Sequence, residues 1–166
     1  MRNPLSKILT LDQAVAWRQE LRQRGQRLAV TNGCFDLLHR GHAEYLARAR
    51  DLAEALLVAV NTDASVKALK GPSRPVVGEA DRAYLLASLE AVDAVVLFAA
   101  NKPLAEFRAL VPDVYVKGGD YTLDTIDREE FAVLRECACE FRFIPFVAGL
   151  STTNTIARVR GQGHGG

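Results

Sequence analysis

Five short apolar runs, at residues 28–31, 55–60, 92–98, 114–116 and 141–146, punctuate this chain at intervals long enough to hold a helix between each pair. A strand with one wet face alternates apolar and polar residues; a run that does not alternate is covered on both faces, as in a parallel sheet flanked by helices. The intervening stretches carry helical spacing: Tyr45, Leu46, Ala49, Leu52 and Ala53 within 40–53, similar patterns at 79–90, 103–110 and 127–138, and a last helix after Ser151. Thr10-Leu11-Asp12-Gln13 has the form of a capping box, which predicts a helix over 11–24 and makes residues 1–26 an N-terminal helical segment. Strand and helix in alternation predict one α/β domain over 1–166, a doubly wound parallel sheet of Rossmann-like type, with 161–166 as a flexible tail.

Composition removes several function classes. Net charge is +1, from 21 Lys+Arg against 20 Asp+Glu, so no whole-molecule field exists to hold a nucleic-acid backbone, and no nucleic-acid partner is expected. The most hydrophobic stretch, 52–60, is far shorter than the ~20 residues that cross a bilayer, and the start MRNPLSKILTLDQ lacks the apolar run of a signal peptide. No membrane association is expected. Three cysteines, Cys34, Cys137 and Cys139, are an odd number without metal-finger spacing, which points to a reducing, cytoplasmic compartment.

The segment from Thr31 to His42, TNGCFDLLHRGH, falls where the first strand run gives way to a helix. In doubly wound sheets ligands bind at that edge, at the carboxyl ends of the strands. Gly33 lets backbone amides approach a phosphate with no Cβ in the way, and the following helix N-terminus adds unpaired N–H groups and a positive dipole end. His39 and His42, spaced i and i+3, project to one side of the first turn and together could hold a triphosphate. A zinc site from Cys34, His39 and His42 lacks a fourth ligand at usual spacing, and Asp36 is equally explained as a turn cap, so no metal site is assigned. Two histidines bracketing Gly41, in a chain with three histidines in all, are hard to explain by packing alone.

Here the chain resembles a known family. Residues 31–42 are similar to the H-x-G-H signature of the nucleotidyltransferases that include cytidylyltransferases and adenylyltransferases, and Gly149-Leu150-Ser151-Thr152-Thr153 is similar to the second signature those enzymes carry before their last helix. Asn61-Thr62-Asp63, residues 69–75 (LKGPSRP) and residues 116–121 (VKGGDY) extend the resemblance to the adenylyltransferases of bacterial ADP-heptose synthesis, with this chain as the stand-alone form. The resemblance implies a transfer of AMP from ATP to heptose 1-phosphate, with Mg²⁺ brought by the ATP and a homodimer as the assembly. It also implies roles: His39, His42 and Lys70 as catalytic groups, and Asn32, Gly33, Cys34, Phe35, Gly41, Lys67, Ser151, Thr152 and Thr153 at the nucleotide. Asp36, Asp63, Lys117, Gly118 and Asp120 would meet the sugar phosphate. The rivals are a polyol-phosphate cytidylyltransferase and a nucleotide-binding domain without catalysis. Against the first, Glu90-Ala91-Val92-Asp93 lacks the arginine that begins the equivalent segment of the glycerol- and choline-phosphate enzymes. Against the second, a domain that only binds has no need of the whole catalytic set.

Two further expectations come from local composition. Arg82, with Glu79 and Asp81 nearby, reads equally as a surface ion pair or a substrate contact. Residues 67–78, rich in Gly, Pro and cations and without an apolar face, read as a loop that is mobile until a triphosphate draws its cations inward.

Overall fold

A computed structural model of the chain describes residues 3–119, 121–145, 152, 155, 156 and 161. After a 3-10 turn at Pro4–Lys7 come β1 (Ile8–Leu9), α1 (Leu11–Gln23), β2 (Leu28–Gly33), α2 (Arg40–Arg50), β3 (Ala55–Asn61), α3 (Asp63–Lys70), α4 (Glu79–Ala87), β4 (Ala94–Phe98), α5 (Leu104–Leu110), β5 (Val114–Gly118), α6 (Arg128–Glu136) and β6 (Glu140–Ile144). The six strands form one sheet, all parallel, in the order β1-β4-β3-β2-β5-β6. Thr152, Thr155, Ile156 and Gly161 are helical. The doubly wound α/β architecture predicted from the apolar runs is the one observed.

Both faces of the sheet are covered, which is why its strands read as unbroken apolar runs. Successive strand residues go to opposite cores: Leu28, Val30, Leu57 and Val96 pack with Ala14, Leu21, Phe107 and Leu134 of α1, α5 and α6. Ala29, Leu56, Val58 and Val95 pack instead with Leu46, Ala49, Ala83 and Leu86 of α2 and α4. The capping box forms as predicted, with Thr10 Oγ1 accepting from the Gln13 amide and Gln13 Oε1 from the Thr10 amide.

Two local expectations are corrected. Residues 1–26 are not helical throughout, because Ile8 and Leu9 form a strand that pairs with Val95 and Val96 at the sheet edge. Nor is the whole of 67–78 a loop. Lys67 and Lys70 belong to the last turn of α3, capped by Thr62 Oγ1, which accepts from the Ser65 amide.

The order of strands creates the cleft. From β2 the chain moves outward to β3 and β4, then returns to the other side of β2 with β5, so the topological switch point lies between β2 and β5. β2 stays in register with β3 as far as Gly33, but its ladder with β5 covers only Ala29 and Val30. Beyond residue 30 side chains bridge the widening gap. Thr31 Oγ1 lies 2.7 Å from the Tyr45 hydroxyl, which donates to the Val116 carbonyl at 3.0 Å, and the Tyr115 hydroxyl donates to Asn32 Oδ1 at 2.8 Å.

Candidate active site

A cleft of about 500 Å³ opens where β2 and β5 diverge. Its walls include Asn32 to Asp36 from the end of β2, His42 and Tyr45 from α2, Lys70 from α3, and Lys117, Gly118, Tyr121 and Glu130 from β5 and beyond. Thr152 also lines it, and its hydroxyl donates to the Leu37 carbonyl at 3.3 Å. Asp120, Ser151 and Thr153 lie outside the described residues.

The turn after β2 is shaped by Phe35, whose φ of +47° is rare for a residue with a side chain. Its ring folds back over Gly33, where a Cβ would meet the ring at 3.1 Å. Gly33 is therefore needed for the aromatic lid of the turn as well as for open access to its amides. Gly41 is buried in the first turn of α2.

His42 is the imidazole that lines the cleft. Its Nδ1 accepts from the His39 amide at 3.4 Å, which puts the proton of the neutral ring on Nε2. Burial, then the neighbouring His39 and Lys70, lower its pKa to about 4, so at neutral pH His42 is an uncharged N–H donor. The expectation that both rings face one side is met only in part. His39 stacks on His42 with centroids 3.8 Å apart and 22° between planes, but it borders a separate small hollow with Leu38, Arg40, Ala43 and Leu89. Its two ring nitrogens are buried without a hydrogen-bond partner among the described residues.

Three acidic or basic candidates change role. Asp36, expected at the sugar phosphate, has a side chain only 1% exposed with both oxygens engaged. Oδ1 accepts from the amides of Val76 and Val77 at 2.8 and 2.9 Å, and Oδ2 from Arg74 Nε at 2.5 Å. Desolvation pushes this carboxyl up, yet the bonds from Val77, Arg74 and Val76 outweigh it and hold the group below the ordinary Asp value. Asp63 is likewise not among the groups lining the cleft; it pairs with Arg82 at 2.8 Å. Arg82 is neither a surface pair nor a substrate contact, being 0% exposed and donating to the carbonyls of Val77, Cys34 and Asn61 as well as to Asp63. Asp36 and Arg82 thus tie residues 74–77 to the turn after β2, contacts that local composition did not reveal. Lys67 is exposed on α3 away from the cleft, whereas Lys70 lines it.

On the opposite wall sits a network that local sequence does not reveal. Glu130 of α6, 4% exposed in its side chain, accepts from Lys117 Nζ at 2.9 Å and, through its other oxygen, from Asn32 Nδ2 at 3.2 Å, while the Tyr115 hydroxyl, 3.1 Å away, shares its single proton between Glu130 and Asn32 Oδ1. Lys117 Nζ also lies 5.4 Å from the Tyr121 ring centroid, within cation–π range. Of the ammonium groups lining the cleft, Lys70 alone has no ion pair among the described residues. Those residues contain no group of three or more His, Cys, Asp and Glu side chains that could hold a metal ion, and no helix long and apolar enough to cross a membrane.

The chain is 46% identical over 155 residues to the bifunctional protein HldE of Geotalea uraniireducens, covering 93% of this chain and 31% of that protein. It is 49% identical over 142 residues to HldE of Nitratiruptor, covering 86% and 29%, and 46% identical over 154 residues to HldE of Helicobacter pylori, covering 93% and 31%. The chain thus spans about a third of the length of these relatives. A solved structure, the lipopolysaccharide core biosynthesis protein from Thermoplasma volcanium, shares the fold with a TM-score of 0.61 at 23% identity, over 74% of this chain and 98% of its own. A family model described as cytidylyltransferase-like matches residues 30–158, which takes in the β2 turn, both walls of the cleft and the helical Thr152. With a cleft of about 500 Å³ at the switch point and that match running through it, the chain belongs to the cytidylyltransferase-like family of nucleotidyltransferases.

Proposed function

We propose that this chain transfers AMP from MgATP to heptose 1-phosphate. An oxygen of the sugar phosphate attacks the α-phosphorus of ATP, the bond from that phosphorus to the β-phosphate oxygen breaks, and pyrophosphate leaves as ADP-heptose forms. The attacking oxygen is already anionic, so no general base is required. What the protein supplies is alignment and preorganised donors aimed at charge that develops on the phosphates. The observation that carries the reading is the convergence of three such donors on one cleft: the neutral His42 Nε2–H, the Lys70 ammonium, unpaired among the described residues, and the amides after Gly33 at the end of β2.

In this reading Cys34 and Phe35 contribute backbone to the triphosphate cradle, and Thr152, with Ser151 and Thr153, receives the outgoing pyrophosphate. Lys117 and Gly118 meet the acceptor phosphate. His39 acts by stacking behind His42. Mg²⁺ is a co-substrate carried by the triphosphate, since it keeps several waters and favours phosphate oxygens over an all-protein cage. Support for ATP and heptose 1-phosphate comes from the resemblance of residues 69–75 and 116–121 to the ADP-heptose enzymes and from the similarity to HldE proteins. Incubation of the pure chain with heptose 1-phosphate and each nucleoside triphosphate, reading pyrophosphate release, tests it. Release with ATP well above CTP is expected; equal or greater turnover with CTP overturns the choice of nucleotide.

A further inference from the structure

Lys117 differs from Lys70 in being already paired. Its ammonium has three N–H donors. One goes to Glu130 and one to the Tyr115 hydroxyl at 3.0 Å, while the side chain keeps 17% of its surface exposed in the wall of the cleft. That leaves one donor for a ligand. Asn32 is held in the same way. Its Oδ1 accepts from Tyr115 and one N–H goes to Glu130, so the amide cannot flip and its second N–H remains. Lys117 stands on β5 and Asn32 on β2, on the two sides of the switch point where the sheet ladder has stopped. Glu130, buried and bonded to both, is the group that fixes them relative to each other.

We infer that Glu130 is a positioning residue that acts through Lys117 and Asn32, so that each presents one N–H to an oxygen of the acceptor's phosphate. The Lys117–Glu130 pair is neutral as a unit, so it recognises an acceptor by the direction of its donors rather than by net charge. The ring of Tyr121 beside Lys117 adds a flat apolar face of the kind a sugar ring can cover. The assignment to the acceptor rests on the proposed transfer reaction; the holding of Lys117 by Glu130 does not.

Two measurements separate those parts. In the ligand-free protein, acetylation of each lysine is followed by mass spectrometry. Glu130→Gln should speed modification of Lys117 by about tenfold, the order expected when a hydrogen bond to a charged partner is lost, and leave Lys70 unchanged. In turnover, Glu130→Gln should raise KM for heptose 1-phosphate by about tenfold with KM for ATP within about twofold. Lys117→Ala should do at least as much, and the double variant should fall well short of the product of the two single effects, because the part of Glu130's action that runs through Lys117 is already gone and only its hold on Asn32 is left to lose. Tyr115→Phe, which keeps the charge pair and the packing, should give a smaller rise of the same kind if Glu130→Gln fails to fold. Glu129→Gln, on the exposed side of α6, should change neither readout.

Unchanged acetylation of Lys117 overturns the inference. So do effects that multiply in the double variant, or a change confined to KM for ATP. Faster acetylation together with a wild-type protein inactive on heptose 1-phosphate would instead overturn the proposed acceptor and leave the holding of Lys117 standing.

Discussion

Asp36→Asn isolates the attachment of residues 74–77 to the β2 turn. The replacement is isosteric, and its Oδ1 can still accept from the Val76 and Val77 amides. The other position changes from acceptor to donor and faces Arg74 Nε, so Arg74, only 13% exposed, loses its partner. Breaking a buried pair costs about 3–5 kcal/mol when the remaining charge stays buried. Here it need not stay, because the segment is tied down by Asp36 and by one bond from Arg82 to the Val77 carbonyl, and its release returns Arg74 to water. The loss is therefore limited to the docking energy, about 2 kcal/mol for one charge-assisted bond and two weakened ones. That lowers Tm by roughly 4–8 °C for a chain of this size. It also raises the population of the open segment about thirtyfold, and cleavage of a transiently open segment follows that population.

Limited trypsin digestion without ligand, followed at the bond after Lys70, together with thermal denaturation, reads both effects. Since Asp36 has a folded pKa below its unfolded value, its stabilisation is complete above the unfolded pKa of about 4 and is lost as pH falls through the folded value. The Tm difference between the two proteins should be constant above pH about 5 and shrink below it. A variant cut no faster than wild type, or a Tm difference that persists unchanged in acid, refutes the attachment.

His42→Ala should lower kcat by about 10² with little change in Tm, as expected for removal of one preorganised donor, measured by pyrophosphate release. The His42 ring in the free protein should titrate near pH 4 when its C–H signal is followed by NMR; a midpoint at the ordinary His value of about 6.5 would falsify the neutral-donor assignment. Lys70→Met should reduce kcat/KM by about 10² or more, its charge being the unpaired ammonium in the cleft; an unchanged value removes α3 from catalysis. Chelation of divalent ions should abolish pyrophosphate release while leaving Tm unchanged, whereas a fall in Tm on chelation would mean that the protein holds a resident metal.

How much of this was legible in the sequence follows from the range of each interaction. The strands could be read because a parallel strand covered on both faces writes its burial into consecutive residues. That Gly33 and His42 share one cleft could be read because a cleft at a strand-to-helix junction draws its lining from within a dozen positions. β1 was missed since two residues carry no period. α3 is eight residues long and runs straight into Gly71, Pro72 and Pro75, so its period is short and its end reads as loop; Thr62 and Asp63, a hydroxyl N-cap followed by an acid in the first turn, are the signal that marks it. Asp36, Asp63 and Arg82 were misassigned for a different reason. Their partners stand 38 and 19 residues away, and a charged residue looks the same locally whether it meets a ligand or a distant side chain.

That pattern of pairing has a consequence for catalysis. Arg74 is matched by Asp36, Arg82 by Asp63 and Lys117 by Glu130, so among the described residues these three positive charges serve the architecture around the cleft. His42 is neutral as well. In the proposed transfer, a triphosphate and a sugar phosphate together bring far more negative charge than Lys70 can offset. The balance falls to uncharged donors, which orient phosphate oxygens without a large desolvation cost, and to the divalent ion that a triphosphate carries in. In such a site the protein sets direction and the substrate carries its own counter-charge. Substitutions that redirect a donor, such as Glu130→Gln, should then weigh on turnover more heavily than substitutions that merely change the net charge of the surface outside the cleft, such as Lys67→Gln.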